Sequence, residues 1–240
     1  MQLLPQGKKP PWHTKLHCPV THTAEAFAGA VQLAWQLPQW AGSSCRSVHS
    51  PPHTVSPSLQ PALVVGSSNP VRDLDLAAPG AVGGEVLANR GLAGIDGLVS
   101  TAVGAALARP HHPVYALLGD LTAVHDSNGL LIGPGEPVPD LTLVVVNDDG
   151  GGIFTTLEPG APEHAAHFER VFGTPTGTDL AALCRAHGVG HEAAATSADL
   201  ADAVRRRPHG IRLVEVTVDR TGHRRAHADL RALAARAVEA

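Results

Sequence analysis

A chain of 240 residues that is 43% hydrophobic and 17% charged can bury one full core. Its formal charge of -4 gives no basic excess for nucleic acid. No apolar run approaches the roughly 18 residues of a membrane span, and the N-terminal MQLLPQGKKPPWH has no apolar signal core behind its lysines, so a cytoplasmic location is expected.

Residues 1–60 carry Pro, Ser, His and Gln without clean periodicity, and only AEAFAGAVQLAWQL at 24–37 suits a helix. The remainder of that segment is expected to be irregular or poorly ordered. All three lysines, Lys8, Lys9 and Lys15, fall inside it, whereas the rest of the chain uses arginine alone. That shift sets a domain boundary near 60, with one domain over 61–240.

From Pro61 the pattern becomes regular. Short apolar runs at about 62–66, 85–88, 114–118, 141–146 and 211–218 read as buried parallel strands, with helices in the intervals. One helix over about 97–108 gathers Leu98, Val99, Ala102, Val103, Ala106 and Leu107 on one face, with Asp96 placed to cap it. Asp179 opens another that stops at Gly188, and Ser197 opens a third before Pro208. This alternation implies a doubly wound α/β fold, a parallel sheet with helices on both faces and its ligand at the carboxyl ends of the strands. Cys18, Cys45 and Cys184 show no metal-ligand spacing and read as unpaired thiols. His13, His17, His22, His49 and His53 lie among prolines and serines and His111-His112 in a loop, so they suggest no metal site either.

Two strand ends carry the chemistry. Gly119-Asp120-Leu121-Thr122 follows VYALL, and Asn147-Asp148-Asp149-Gly150-Gly151-Gly152 follows LTLVVV. Strand, helix and second parallel strand take roughly 30 residues, so the two ends can lie side by side. Carboxylate and amide oxygens beside glycines that bare their N–H groups suit a hard divalent cation carrying a diphosphate. No Gly-x-Gly-x-x-Gly or Walker A loop follows the first strand, which argues against a plain nucleotide-binding domain.

The pairing of Gly119-Asp120 with Asn147-Asp148 resembles the diphosphate anchor of thiamine-diphosphate enzymes. With GSSNPVRDLDL at 66–76, ANRGLAGIDGLVSTAVGAAL at 88–107, GDLTAVHDSNGLLIGP at 119–134 and VVNDDGGGIFTTLE at 145–158, the chain from about Ala62 onward resembles the cofactor-binding domain of the 2-succinyl-5-enolpyruvyl-6-hydroxy-3-cyclohexene-1-carboxylate synthase family of menaquinone biosynthesis, in its actinobacterial form. The resemblance implies thiamine diphosphate held by magnesium or manganese, with Asp120, Asp148 and the main-chain carbonyl of Gly150 as ligands. Asp148 stands where the family has the second asparagine of an Asn-Asn pair.

It further implies cofactor contacts at Gly119, Leu121, Thr122, Asn147, Gly151 and Gly152, with Ile95 propping the cofactor into its bent form. Ser68, Arg72, Arg90, Ile153, Phe154 and Leu157 fall where the family binds its substrates, 2-oxoglutarate and isochorismate; both are dicarboxylates, which guanidinium groups grip in bidentate fashion. The implied reaction decarboxylates 2-oxoglutarate and adds the remaining unit to isochorismate. Family members also need a glutamate from a pyrimidine-binding domain, usually on a partner subunit, so a homo-oligomer or a separate pyrimidine-domain partner is implied. Glu25 is the sole glutamate of the first sixty residues, in a context unlike the family's, and the chain is therefore expected to be truncated, split or fused, and inactive alone. A non-catalytic cofactor-binding remnant or scaffold, or an acetolactate-synthase relative lacking the role of Arg72 and Arg90, stays open.

Overall fold

The computed structural model describes residues 60–77 and 84–239. The helix expected at 24–37, and all but the last residue of the segment 1–60, lie outside the described residues.

Strands β1 (Ala62–Val65), β2 (Glu85–Leu87), β3 (Val114–Gly119), β4 (Leu141–Asn147), β5 (Gly190–Ala193) and β6 (Ile211–Thr217) form one sheet in the order β2-β1-β3-β4-β6-β5. Every pairing is parallel. Five of these strands fall where the apolar runs predicted them. The sixth, β5, reads Gly-His-Glu-Ala and is half exposed at the sheet edge, so no apolar run announced it.

Alternation along the strands sends side chains to two faces. On one face Leu63, Val65, Leu117, Val144 and Val214 pack with Leu74 of helix α1 (Asn69–Ala77) and Leu200 and Val204 of α6 (Ser197–Arg205). On the other, Val64, Leu118, Leu143, Val145 and Leu213 pack with Leu98 and Val99 of α2 (Leu98–Leu107), Ala123 of α3 (Asp120–His125) and Leu180 and Cys184 of α5 (Leu180–Ala186). The fold is the doubly wound α/β architecture that the sequence pattern implied. Burying each such leucine contributes ~1.5–3 kcal/mol, so the two layers hold the strand ends in register. Short helical turns and α4 (Ala165–Phe168) follow β4, and α7 (His223–Glu239) closes the described chain.

The helix caps differ in part from expectation. Asp96 does not cap α2: Gly97 takes the cap position in the left-handed region, at φ 68°, with no side-chain bond. Asp126 caps that helix across the fold instead, accepting from the Ser100 N–H at 2.7 Å and the Ser100 hydroxyl at 3.0 Å. Asp179 caps α5 as its position suggested, accepting from the Ala182 N–H at 2.8 Å. For α6 the cap is Thr196, one residue before Ser197, in a reciprocal pair with Asp199.

The chain leaves β1 for β2 on one side and returns to β3 on the other, making the gap between β1 and β3 the topological switch point. Ligands of such sheets bind outside the carboxyl ends of the strands there.

Candidate functional site

A cavity of about 200 Å³ opens at that place. Ser68, Asn69 and Pro70 border it from the end of β1, Gly119 to Thr122 from β3, and Asp148 with Gly150 to Phe154 from β4. Ile95 reaches it from the loop ahead of α2. The residues after β1 need an unusual backbone: Ser68 sits at φ 74°, a left-handed conformation rare outside glycine and asparagine.

Asp120 and Asp148 meet at the polar end of the cavity. Asp120 is 3% exposed and the Asp148 side chain 9% exposed. The two carboxyl groups are close enough for each charge to disfavour the other, so the pair favours keeping a proton. Burial, then the charge of Asp120, pushes Asp148 up to about 7, while Arg220 pulls the other way. Burial also raises Asp120, against backbone N–H groups of Leu121, Asp120 and Gly150 that favour its charged form. Asp120 Oδ2 is buried and has no hydrogen-bond partner. Two crowded carboxylates with an unsatisfied oxygen are a donor set that a divalent cation would relieve.

The loop after β4 is shaped by close packing. Asp149 takes φ 52° and its Oδ1 accepts from the N–H groups of Thr176 and Gly177, at 3.1 and 3.0 Å. Gly150 stands at φ 139°. A Cβ on Gly150 would collide with the Gly173 carbonyl, one on Gly151 with the Phe172 carbonyl, and one on Gly152 with the Asp148 carboxylate. Two of the glycine N–H groups, expected to be bare, are engaged: Gly151 with Gly173 O at 2.7 Å and Gly152 with Gly150 O at 3.0 Å. The glycines therefore let the loop approach the protein's own backbone and its own carboxylate.

Of the residues singled out from the sequence, Ser68, Ile95, Gly119, Asp120, Leu121, Thr122, Asp148, Gly150, Gly151, Gly152, Ile153 and Phe154 come together around the cavity. Four lie elsewhere. Arg72 is exposed and donates to the Ser68 carbonyl at 2.6 Å; Arg90 is exposed in the loop after β2. Asn147 donates to Glu215 at 2.6 Å and accepts from the Asp149 N–H at 3.0 Å, so its side chain braces the loop from behind. Leu157 is 45% exposed.

Sequence reasoning missed Asp73, Leu117 and Val146 in the cavity wall and two histidines of α7 behind it. His223 is buried, with Nδ1 4.0 Å from Asp148 Oδ2, and burial holds its pKa below the usual value. His227 Nε2 lies 3.4 Å from Asp73 Oδ1. Their spacing of four residues on one helix was the available signal. Among the described residues, no group of three or more His, Cys, Asp or Glu side chains could by itself hold a metal.

Residues 80–216, more than half of the chain, match the family model described as thiamine pyrophosphate enzyme, C-terminal TPP binding domain. The chain belongs to this family. Its relatives include 2-succinyl-5-enolpyruvyl-6-hydroxy-3-cyclohexene-1-carboxylate synthases. The one from Saccharopolyspora erythraea is 58% identical over 173 residues, covering 70% of this chain and 31% of the relative. That from Nocardia farcinica is 57% identical over 171 residues, covering 71% and 31%; that from a Nocardioides species is 50% identical over 192 residues, covering 76% and 36%. This member of the family thus spans about a third of the length of the curated relatives it matches. The crystal structure of benzoylformate decarboxylase from Polynucleobacter necessarius aligns with a TM-score of 0.54 at 16% identity, over 84% of this chain and 34% of that one, and supports the fold. No helix among the described residues is long and apolar enough to cross a membrane.

Proposed function

We propose that the cavity anchors thiamine diphosphate through magnesium or manganese, and that the chain is the cofactor-binding part of a synthase acting on 2-oxoglutarate and isochorismate. The buried Asp120–Asp148 pair at the switch point carries the reading. Its crowded carboxylates and the orphaned Asp120 oxygen fit a hard cation, for which the Gly150 carbonyl would be a third oxygen. Bound there, the cofactor would supply the carbanion-stabilising chemistry for decarboxylating a 2-oxo acid.

This chain's own residues would bind and shield. Ile95, Ile153 and Phe154 give the cavity an apolar wall that excludes water from the reacting end. The relatives named above support the substrate choice. Both substrates are dicarboxylates, and the exposed Arg72 and Arg90 are the cations we assign to them. The catalytic glutamate and the rest of the cleft would come from a pyrimidine-binding domain, in a homo-oligomer or a separate partner.

Calorimetric titration of thiamine diphosphate, with magnesium and then with chelator, tests the anchor. Heat should appear only with the metal and vanish in Asp120→Ala. Equal heat with chelator would reject the assignment. In an assembly with a pyrimidine domain, Arg90→Ala should raise the KM for 2-oxoglutarate or isochorismate by roughly tenfold to a hundredfold, as for loss of a charged hydrogen bond.

A further inference from the structure

Four side chains just beyond the family match, which ends at residue 216, contact the cavity walls or the segment that runs on from them. Arg220 stands in the turn Arg220–Gly222 that leads into α7, and His223, Arg224 and His227 follow at the start of that helix. Arg220 donates from Nη1 to the carbonyls of Asp148 (2.6 Å) and Asp149 and from Nη2 to the Glu169 carboxylate. Arg224 donates to the carbonyls of Thr155 and Leu157 at 3.1 and 2.9 Å. His223 Nδ1 lies 4.0 Å from Asp148 Oδ2, and His227 faces Asp73 of α1.

We propose that residues 220–227 form a clamp that sets the shape of the cofactor loop, with Arg220 as its positioning residue. The Arg220 side chain is only 12% exposed. It ties the loop at 148–149 to the turn Glu169–Gly173, the same turn whose Phe172 and Gly173 carbonyls press on Gly150 and Gly151. The loop is therefore pinned between that turn and Arg220, whose Nη1 stands 3.0 Å from where a Gly150 Cβ would lie. A planar guanidinium serves these three acceptors at once from a fixed fork, which an ammonium cannot do. Pulling the Asp148 and Asp149 carbonyls outward fixes the left-handed turn at Asp149 and so the direction in which Asp148 presents its carboxylate. Arg224 holds the far end of the same segment, past Ile153 and Phe154. The consequence for cofactor binding rests on the function proposed above; the consequence for loop order does not.

Hydrogen-exchange mass spectrometry on the 240-residue chain, with and without thiamine diphosphate and magnesium, tests this directly. Arg220→Met keeps the apolar stem and removes the donors. It should speed exchange of the amides at 149–152 by about tenfold or more, leave those of β4 at 142–146 as in the parent, and weaken cofactor binding by about tenfold. Arg220→Lys should fall between parent and Met variant. Arg224→Ala should loosen 153–157 and leave 149–152 as they were. Unchanged loop exchange in Arg220→Met overturns the clamp, and so does faster exchange spread equally over the loop and β4, which marks general destabilisation. If Arg220→Met does not fold, parent-like loop exchange in the Lys variant overturns it in the same way. If the parent chain binds no cofactor, the functional reading falls while the exchange result still decides the clamp.

Discussion

Asp120 and Asp148, carboxylates from the ends of two adjacent parallel strands, line one cavity side by side and are both nearly hidden from water. In the metal-free chain burial and the neighbouring charge both favour keeping a proton on the pair. Asp148 keeps that proton up to about 7 when folded and releases it near its ordinary 3.8 when unfolded. Between those values the folded state binds more protons, so metal-free stability should fall as pH rises from about 4 through 7. Urea midpoints across that window, with chelator present, measure the slope. Asp148→Asn should flatten it, and an equally steep slope in that variant would remove Asp148 as its source.

Asp120→Asn should separate the two demands on the pair. An amide keeps the size of the carboxyl group yet brings no second charge beside Asp148, so the metal-free chain should gain about 0.5–2 kcal/mol. Magnesium-dependent binding of thiamine diphosphate should drop by more than about tenfold, since a hard cation loses a charged oxygen ligand. Thermal melts and calorimetry on the same preparation read both effects. A variant that is less stable and binds normally would contradict each half.

Gly151→Ala should cost about 1–3 kcal/mol, because the new methyl meets the Phe172 carbonyl and backbone must move to admit it. The same shift displaces the Gly151 N–H from Gly173 O and disturbs the cavity wall. Denaturant titration gives the cost. A change of less than a few tenths of a kcal/mol would show that the turn Glu169–Gly173 yields freely.

Thr196→Ala provides the contrast. Loss of the reciprocal cap with Asp199 should destabilise the chain by about 0.5–2 kcal/mol. Thr196 does not line the cavity, so cofactor affinity should stay where it was. Affinity falling in parallel with the melting temperature would mean that binding reports overall stability and not the loop.

Most of the architecture was legible because the buried strands are continuous apolar runs, as in LTLVVV, and such runs occur in parallel sheets covered on both sides. Strand β5 escaped because an edge strand with His191 and Glu192 has no reason to be apolar. Asp120 and Asp148 could be placed together since each directly follows a strand. Glycine spacing, by contrast, could not say what the glycines approach: the Phe172 and Gly173 carbonyls arrive through a turn with no sequence signature. Asp96 looked like a cap by proximity, and only the tertiary fold brings Asp126 to Ser100. Arg220, in the turn ahead of α7, and His223 and His227 within it carry no sequence signal of their own; only packing brings them behind the cavity.

The strand order also governs how the sheet can assemble as the chain emerges from the ribosome. Strand β5 has a single neighbour, β6, which is made after it; β4, already complete, must therefore leave its free edge open until β6 inserts between the two. During that interval the Leu143 to Val146 stretch, buried in the finished protein, presents unpaired backbone along one side. Such an edge is a template for pairing with another chain, so the slowest and most aggregation-prone moment of biogenesis should come just before residues 211–217 are made, and a chaperone that shields strand edges would act there.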